Sequence, residues 1–264
     1  MYSPYDFNQS IAHRAEYVEE RLKGGAPVVG LSFDKGVLLL TVRRTQRKVF
    51  EIYDKLMYSA IGNQADVEAV RLAAIDFAHQ EGFTRSPDDV SIQRLVGFAI
   101  SPPLKKGFGD TFNTPNVLRA LFAEIGRRPE TDSFFVLNYD GEFTTHSNFA
   151  LVAGSDAAED AMRKHLEEKV SDVPDLQTAL TLAASAWRVG SLDYSRRDDD
   201  DKDDDSSDDM STHAGEETDP LREALLHGHL EAAVLERDTS RESKFRLLRE
   251  DELEMVKPEQ ITAS

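Results

Sequence analysis

Cysteine is absent from this chain, and with it any disulfide framework, thiolate nucleophile or thiolate-bound zinc. Basic charge is scarce: 31 Lys and Arg stand against 49 Asp and Glu, a formal net charge of −18 over 264 residues. A nucleic-acid binder needs a basic stripe that displaces counterions from phosphates, so no nucleic-acid partner is expected. An anionic membrane surface is disfavoured on the same ground. Long apolar runs are also missing; Gly36 to Thr41 is among the longest, far short of the ~20 residues that span a bilayer. The opening Met-Tyr-Ser-Pro-Tyr-Asp has neither the basic nor the apolar region of a secretory signal. A soluble, cytoplasmic protein is expected. No P-loop or dinucleotide fingerprint occurs, and no cofactor is expected.

What is present is uneven. Asp198 to Asp209 holds nine Asp and one Lys. The stretch at about 195–219 has too few apolar residues to offset its ordering entropy and reads as a disordered acidic insert. Outside it the chain alternates its periods. Ile11, Ala15, Val18 and Leu22 form one helical stripe, capped by Asn8 or Ser10 and ended at Gly24-Gly25. Two β-type runs follow, Val28 to Ser32 and Val37 to Thr41, with Asp34-Lys35-Gly36 as their turn. Met57 to Ile61 is a third, closed by Gly62-Asn63.

Val67, Val70, Ala74, Phe77 and Ala78 mark a helix that ends before Gly82. Ser86 or Asp88 caps another through Phe98, interrupted by Pro102-Pro103, and Lys105 to Pro115 reads as a surface loop. Val117 to Ile125 is ambiguous by pattern. Phe134 to Tyr139 and Phe149 to Ala153 read as strands joined by a turn at Asp140-Gly141. Helices follow over Asp156 to Val170 and Leu176 to Val189, then closing strands at Leu230 to Leu235 and Phe245 to Leu248. Strand runs alternating with helix pairs predict two stacked sheets covered by helices, a four-layer α+β domain.

Chemistry-bearing patterns are few. His227-Gly228-His229 with Glu231 close by would put two imidazoles on one strand face, a weak metal pattern; exposed polar residues are the default. The Asp run lacks the Gly and closing Glu of a calcium loop. Gly154-Ser155 has no G-x-S-x-G frame and no identifiable triad partners.

The ordered set of motifs does resemble a known family. Gly25-Ala26-Pro27-Val28-Val29-Gly30 and Asp34-Lys35-Gly36-Val37-Leu38-Leu39 resemble the opening hairpin of proteasome subunits. Lys48-Val49-Phe50-Glu51-Ile52 resembles the entry to their third strand. Glu16 to Gly24 resembles the extra N-terminal helix of α-type subunits. Tyr139-Asp140-Gly141, Ala153-Gly154-Ser155 and Leu230 to Leu235 followed by Phe245-Arg246 resemble the later strands of actinobacterial-type α subunits. The resemblance covers roughly residues 5 to 251 apart from the insert, and makes Val117 to Ile125 a strand. It implies the αββα sandwich of the N-terminal-nucleophile (Ntn) hydrolases. The domain would span 11–251, between a flexible segment 1–10 and a flexible tail 252–264.

The resemblance also implies roles. Catalytic β subunits attack peptide bonds with an N-terminal Thr whose α-amine serves as base. Here that position is Ala26, and the helper Asp position is Val42. A non-catalytic subunit of a threonine-type endopeptidase complex follows. Lys48, at the place of the catalytic Lys, would line a pocket on a ring's outer face and pair with the C-terminal carboxylate of an activator tail. Gly25 and Asn63 would belong to that pocket. Tyr2, Pro4, Tyr5, Asp6 and Phe7 would form the gate; Phe7 replaces the family's usual Arg, which favours a flexible plug over an ordered turn.

The implied partners are six further copies in a seven-membered ring, β-type subunits, a hexameric regulatory ATPase and unfolded protein substrates. Two alternatives remain. One is an active, self-compartmentalised threonine peptidase that uses Thr41. The other is a ring-forming scaffold without a protease partner.

Overall fold

The computed structural model describes residues 4–200, 219–241 and 243–258. Ten strands form two antiparallel five-stranded sheets, stacked face to face. The first sheet contains β1 (Val28–Phe33), β2 (Gly36–Arg43), β8 (Phe149–Val152), β9 (His229–Glu236) and β10 (Phe245–Leu247), in the order β10-β9-β2-β1-β8. The second contains β3 (Val49–Tyr53), β4 (Leu56–Gly62), β5 (Leu118–Glu124), β6 (Ser133–Leu137) and β7 (Phe143–His146), in sequence order.

Both faces of each sheet are covered, which is why β1, β2, β5 and β6 read as nearly continuous apolar runs. The side-chain period of two splits them. Val28, Val37, Leu39, Val49, Leu121 and Phe134 point between the sheets. Val29, Leu31, Leu38 and Leu40 point outward, onto α5 (Asp156–Lys169) and α6 (Leu176–Asp200), where Met162, Leu166, Ala183 and Trp187 meet them. The outer face of the second sheet packs Tyr58, Phe122 and Leu137 against α2 (Gln64–Thr84), the short α3 (Ile92–Arg94) and α4 (Ser101–Gly109). This is the four-layer αββα sandwich expected from the sequence.

Several local expectations are corrected. Helix α1 runs from Pro4 to Leu22, so residues 4–10 of the segment read as flexible are helical. Proline's fixed φ suits a first turn, and the helix is not confined to its apolar stripe. Helix α2 passes through Gly82 to Thr84; the missing side chain there leaves room for the Tyr53 hydroxyl. Pro102-Pro103 does not break the helical path. A π-turn over Leu95–Ile100 precedes it, and both prolines lie in the first turn of α4, where their absent N–H groups cost nothing.

Strand β7 lies between the two strands read as adjacent. Its Phe143, Thr144 and Thr145 are exposed, so an edge strand carries no burial pattern to read. Helix α6 continues to Asp200, into the stretch read as a disordered insert; the remainder of that insert, 201–218, and Tyr2 lie outside the described residues. Asp219 caps an unexpected α7 (Pro220–Leu226). The tail is held as far as it is described: α8 (Glu250–Leu253) and the turn after it bury Leu253 and Val256.

Candidate functional site

The strand β2 ends at Arg43, and residues 44–48 carry the chain from one sheet to the other. Lys48 is the last residue of that crossing. It is half-buried, and its Nζ donates to the Ala26 carbonyl at 2.9 Å and to the Thr41 hydroxyl at 3.2 Å. Thr41 in turn donates to the Pro27 carbonyl at 2.7 Å. Two of the three ammonium hydrogens are thereby used; the third has no partner among the described residues. Burial lowers the Lys48 pKa to about 8, against the smaller opposing pull of Glu231.

Glu231 sits on β9 opposite Thr41 and is 6 % exposed. Its Oε1 accepts the Val49 N–H at 2.9 Å, and both oxygens lie 3.2 Å from the Lys48 N–H. Arg43 Nε is 3.3 Å from Oε2 and Arg47 Nε 3.9 Å from Oε1. A carboxylate of the first sheet thus holds the last amide of the crossing and the first of β3 in the second. The sequence signal for this role is a lone acid inside Leu230 to Leu235, a buried strand where a charge needs partners. The metal pattern does not form as read: His227 ends α7 and His229 opens β9, so the imidazoles do not share a strand face.

Gly25 follows the end of α1, its N–H donating to the Leu22 carbonyl at 2.8 Å. A Cβ there would stand 2.9 Å from that of Ile61, so only glycine permits the approach to the end of β4. Asn63, two residues beyond Ile61, is exposed and caps α2: its Oδ1 accepts the Ala65 N–H at 2.9 Å. The structure therefore gathers Gly25 and Lys48 around the segment that leads into β1, with Asn63 on the adjoining strand end. It also gives Asn63 a local task that spacing did not reveal.

The Ala26 side chain is a methyl group, and Val42 is buried in the apolar layer beneath α6 and α7. The Thr41 hydroxyl is fully buried with its proton committed to Pro27. Ser155 is the N-cap of α5, accepting from the Ala158 N–H.

A groove lies along α1. Gln9, Ser10, His13, Arg14 and Tyr17 face the loop at Phe112 across a groove of about 830 Å³. Arg14, unremarked in the sequence, builds it by donating to the carbonyls of Gly107, Phe108 and Asn113. Phe7, on the same helix, is 48 % exposed; the backbone of Pro4, Tyr5 and Asp6 continues that helix.

Comparison with known proteins now decides the family. No protein-family model matches the chain. The chain is 30 % identical over 180 residues to the proteasome subunit alpha of Kineococcus radiotolerans, covering 67 % of this chain and 74 % of that one. The chain belongs to the proteasome α-subunit family. The proteasome subunit alpha of Actinosynnema mirum is 29 % identical over 245 residues, 90 % of this chain and 81 % of its own. That of a Nocardioides species is 27 % identical over 248 residues, 93 % and 85 %. No helix among the described residues is long and apolar enough to cross a membrane.

Proposed function

We propose that this chain is the non-catalytic α-type subunit of a bacterial 20S proteasome core. Seven copies close into an outer ring, since a heterologous interface whose rotation closes gives a cyclic oligomer. Two such rings cap rings of β-type subunits that carry the threonine nucleophiles. The ring restricts the entry of unfolded proteins, its N-terminal segments obstruct the pore, and the pocket at Lys48 receives the C-terminal carboxylate of a regulatory ATPase.

One observation carries this reading. The Lys48 ammonium sits at the entrance to β1, as a catalytic lysine would, but faces the Ala26 carbonyl and a buried, proton-donating Thr41 instead of a nucleophile. Such a lysine has no N-terminal hydroxyl beside it, because Thr41 lies inside β2 with its proton on the Pro27 carbonyl, and it keeps one donor for a carboxylate, the charge-assisted contact that recognises a chain terminus.

Co-expression with a threonine-bearing β-type subunit, followed by electron microscopy, tests it. A four-ring particle is expected, with a covalent threonine-directed inhibitor labelling only the β chain. Labelling of this chain on its own, with a newly exposed N-terminal residue, would establish the peptidase alternative. A ring that never joins the β subunit would leave a scaffold.

A further inference from the structure

An ionised carboxylate inside a strand costs several kcal/mol of desolvation unless its oxygens are fully occupied. The Glu231 oxygens accept the Lys48 and Val49 N–H groups and face the Arg43 Nε at 3.3 Å, while the Arg47 Nε, which donates to the Val49 carbonyl, adds positive charge from 3.9 Å. Nothing in the sheet itself requires the charge, because Ala232, Ala233 and Val234 continue β9 with apolar side chains. What the carboxylate does instead is fix the point where the chain passes between sheets. That point is the Lys48 backbone.

We propose that Glu231 is the positioning residue of the docking pocket. It holds the Lys48 main chain so that the ammonium stands at the Ala26 carbonyl with one hydrogen directed to the terminal carboxylate of a partner polypeptide. This rests on the docking reading given above. Glu231 does not repel the incoming anion, because Arg43 of β2 and Arg47 of the crossing loop neutralise it, and His229 lies opposite Arg43 on β9. Lys48, Arg43 and Arg47 are three cations around the single Glu231 carboxylate at the crossing. The Glu231 charge also supports the protonated state of Lys48, so its removal reaches the pocket in two ways, through geometry and through the proton.

The test uses the particle purified after co-expression with a β-type subunit. The probe is a pool of short fluorescein-labelled peptides, randomised over their last residues and prepared both as the free acid and as the C-terminal amide. Binding is read by fluorescence polarisation from pH 6 to pH 10. Wild type is expected to prefer the acid, and Lys48→Ala to lose that preference. Glu231→Gln is expected to weaken acid binding about tenfold, the worth of a charged hydrogen bond. It should also move the alkaline midpoint of binding to lower pH, which a merely structural loss would not do.

If Lys48→Ala keeps the acid preference, the docking reading itself fails. If Lys48→Ala loses it while Glu231→Gln keeps both affinity and midpoint, the positioning role is overturned and docking stands. Should Glu231→Gln not assemble, Glu231→Asp carries the test. It keeps the charge and shortens the reach, so affinity falls with the midpoint held, and wild-type affinity would overturn the proposal.

Discussion

Lys48 Nζ donates to the Ala26 carbonyl oxygen at 2.9 Å across 22 residues of sequence, joining the crossing loop to the chain that enters β1. The contact places a cation beside the backbone carbonyl two residues ahead of β1. Its electrostatic consequence is measurable in the isolated chain, without any partner.

The folded chain holds the Lys48 proton less tightly than the ordinary value of 10.5, with a pKa of about 8. Below pH 8 both folded and unfolded chains carry the proton, and the folded state bears the cost of a buried charge. Between about pH 8 and 10.5 the unfolded chain binds more protons, so stability rises with pH. At 1.36 kcal/mol per unit the gain is on the order of 3 kcal/mol. Lys48→Met should abolish it. Urea midpoints measured from pH 7 to pH 10 check this, and an unchanged slope in the variant would refute the assignment.

A second buried cation works at the other end of the sheets. Arg237, just beyond β9, reaches the turn between β5 and β6 and forms a fork with Asp132, both contacts at 2.9 Å. Asp132 has no exposed side chain, and it also accepts the Gly126 N–H at 2.8 Å. Truncating one partner leaves the other charge buried and alone. Asp132→Ala or Arg237→Ala should each cost about 3–5 kcal/mol. In a denaturation cycle the double variant should lose much less than both losses together; additive losses would show that the two charges are not coupled.

The contrast between these two pairs explains how much the sequence disclosed. Layers, the strands β1, β2, β4 and β6 and the core stripes are legible because burial on both faces writes itself into apolar runs such as Val37 to Leu40, whereas β3 and β5 come only with the resemblance. Lys48 and Ala26 are legible only through family resemblance; their residue types alone suggest nothing. Glu231 and Arg237 are charged residues whose partners lie 183 and 105 positions away, a distance that no local period encodes. Exposed β7 and residues 7–9 of α1 escape for the opposite reason, since neither buries enough to impose a pattern.

Gly62 has φ +127°, and a side chain there would overlap the Val117 carbonyl. Gly62→Ala should therefore destabilise by roughly 1–3 kcal/mol. It should also disturb Asn63, whose N–H donates to that same carbonyl at 2.8 Å. A thermal melt equal to wild type would contradict the strain argument.

Asn63 separates two roles. As an N-cap it is worth about 1 kcal/mol, and Asn63→Asp should keep that while Asn63→Ala loses it. If Asn63 serves only α2, the Asp variant should bind carboxylate peptides like wild type. If it also lines the docking pocket, the added negative charge should weaken the free acid and leave the amide unaffected. Melting curves and polarisation on the same two variants distinguish these outcomes.

The proposed gate makes the last prediction. Removing residues 1–7 deletes Tyr2, Pro4, Tyr5, Asp6 and Phe7 but spares what anchors α1. Arg14 keeps its three carbonyls, and Val18 and Leu22 stay in the inter-sheet core. The shortened chain should assemble as before. An obstruction at a pore retards long chains more than short ones, so degradation of an unfolded protein should rise several-fold. Hydrolysis of a short fluorogenic peptide should change less. The ratio of the two rates is the diagnostic quantity, because a change in the number of active particles alters both equally. A ratio equal to wild type in intact particles would mean that these residues do not close the entrance.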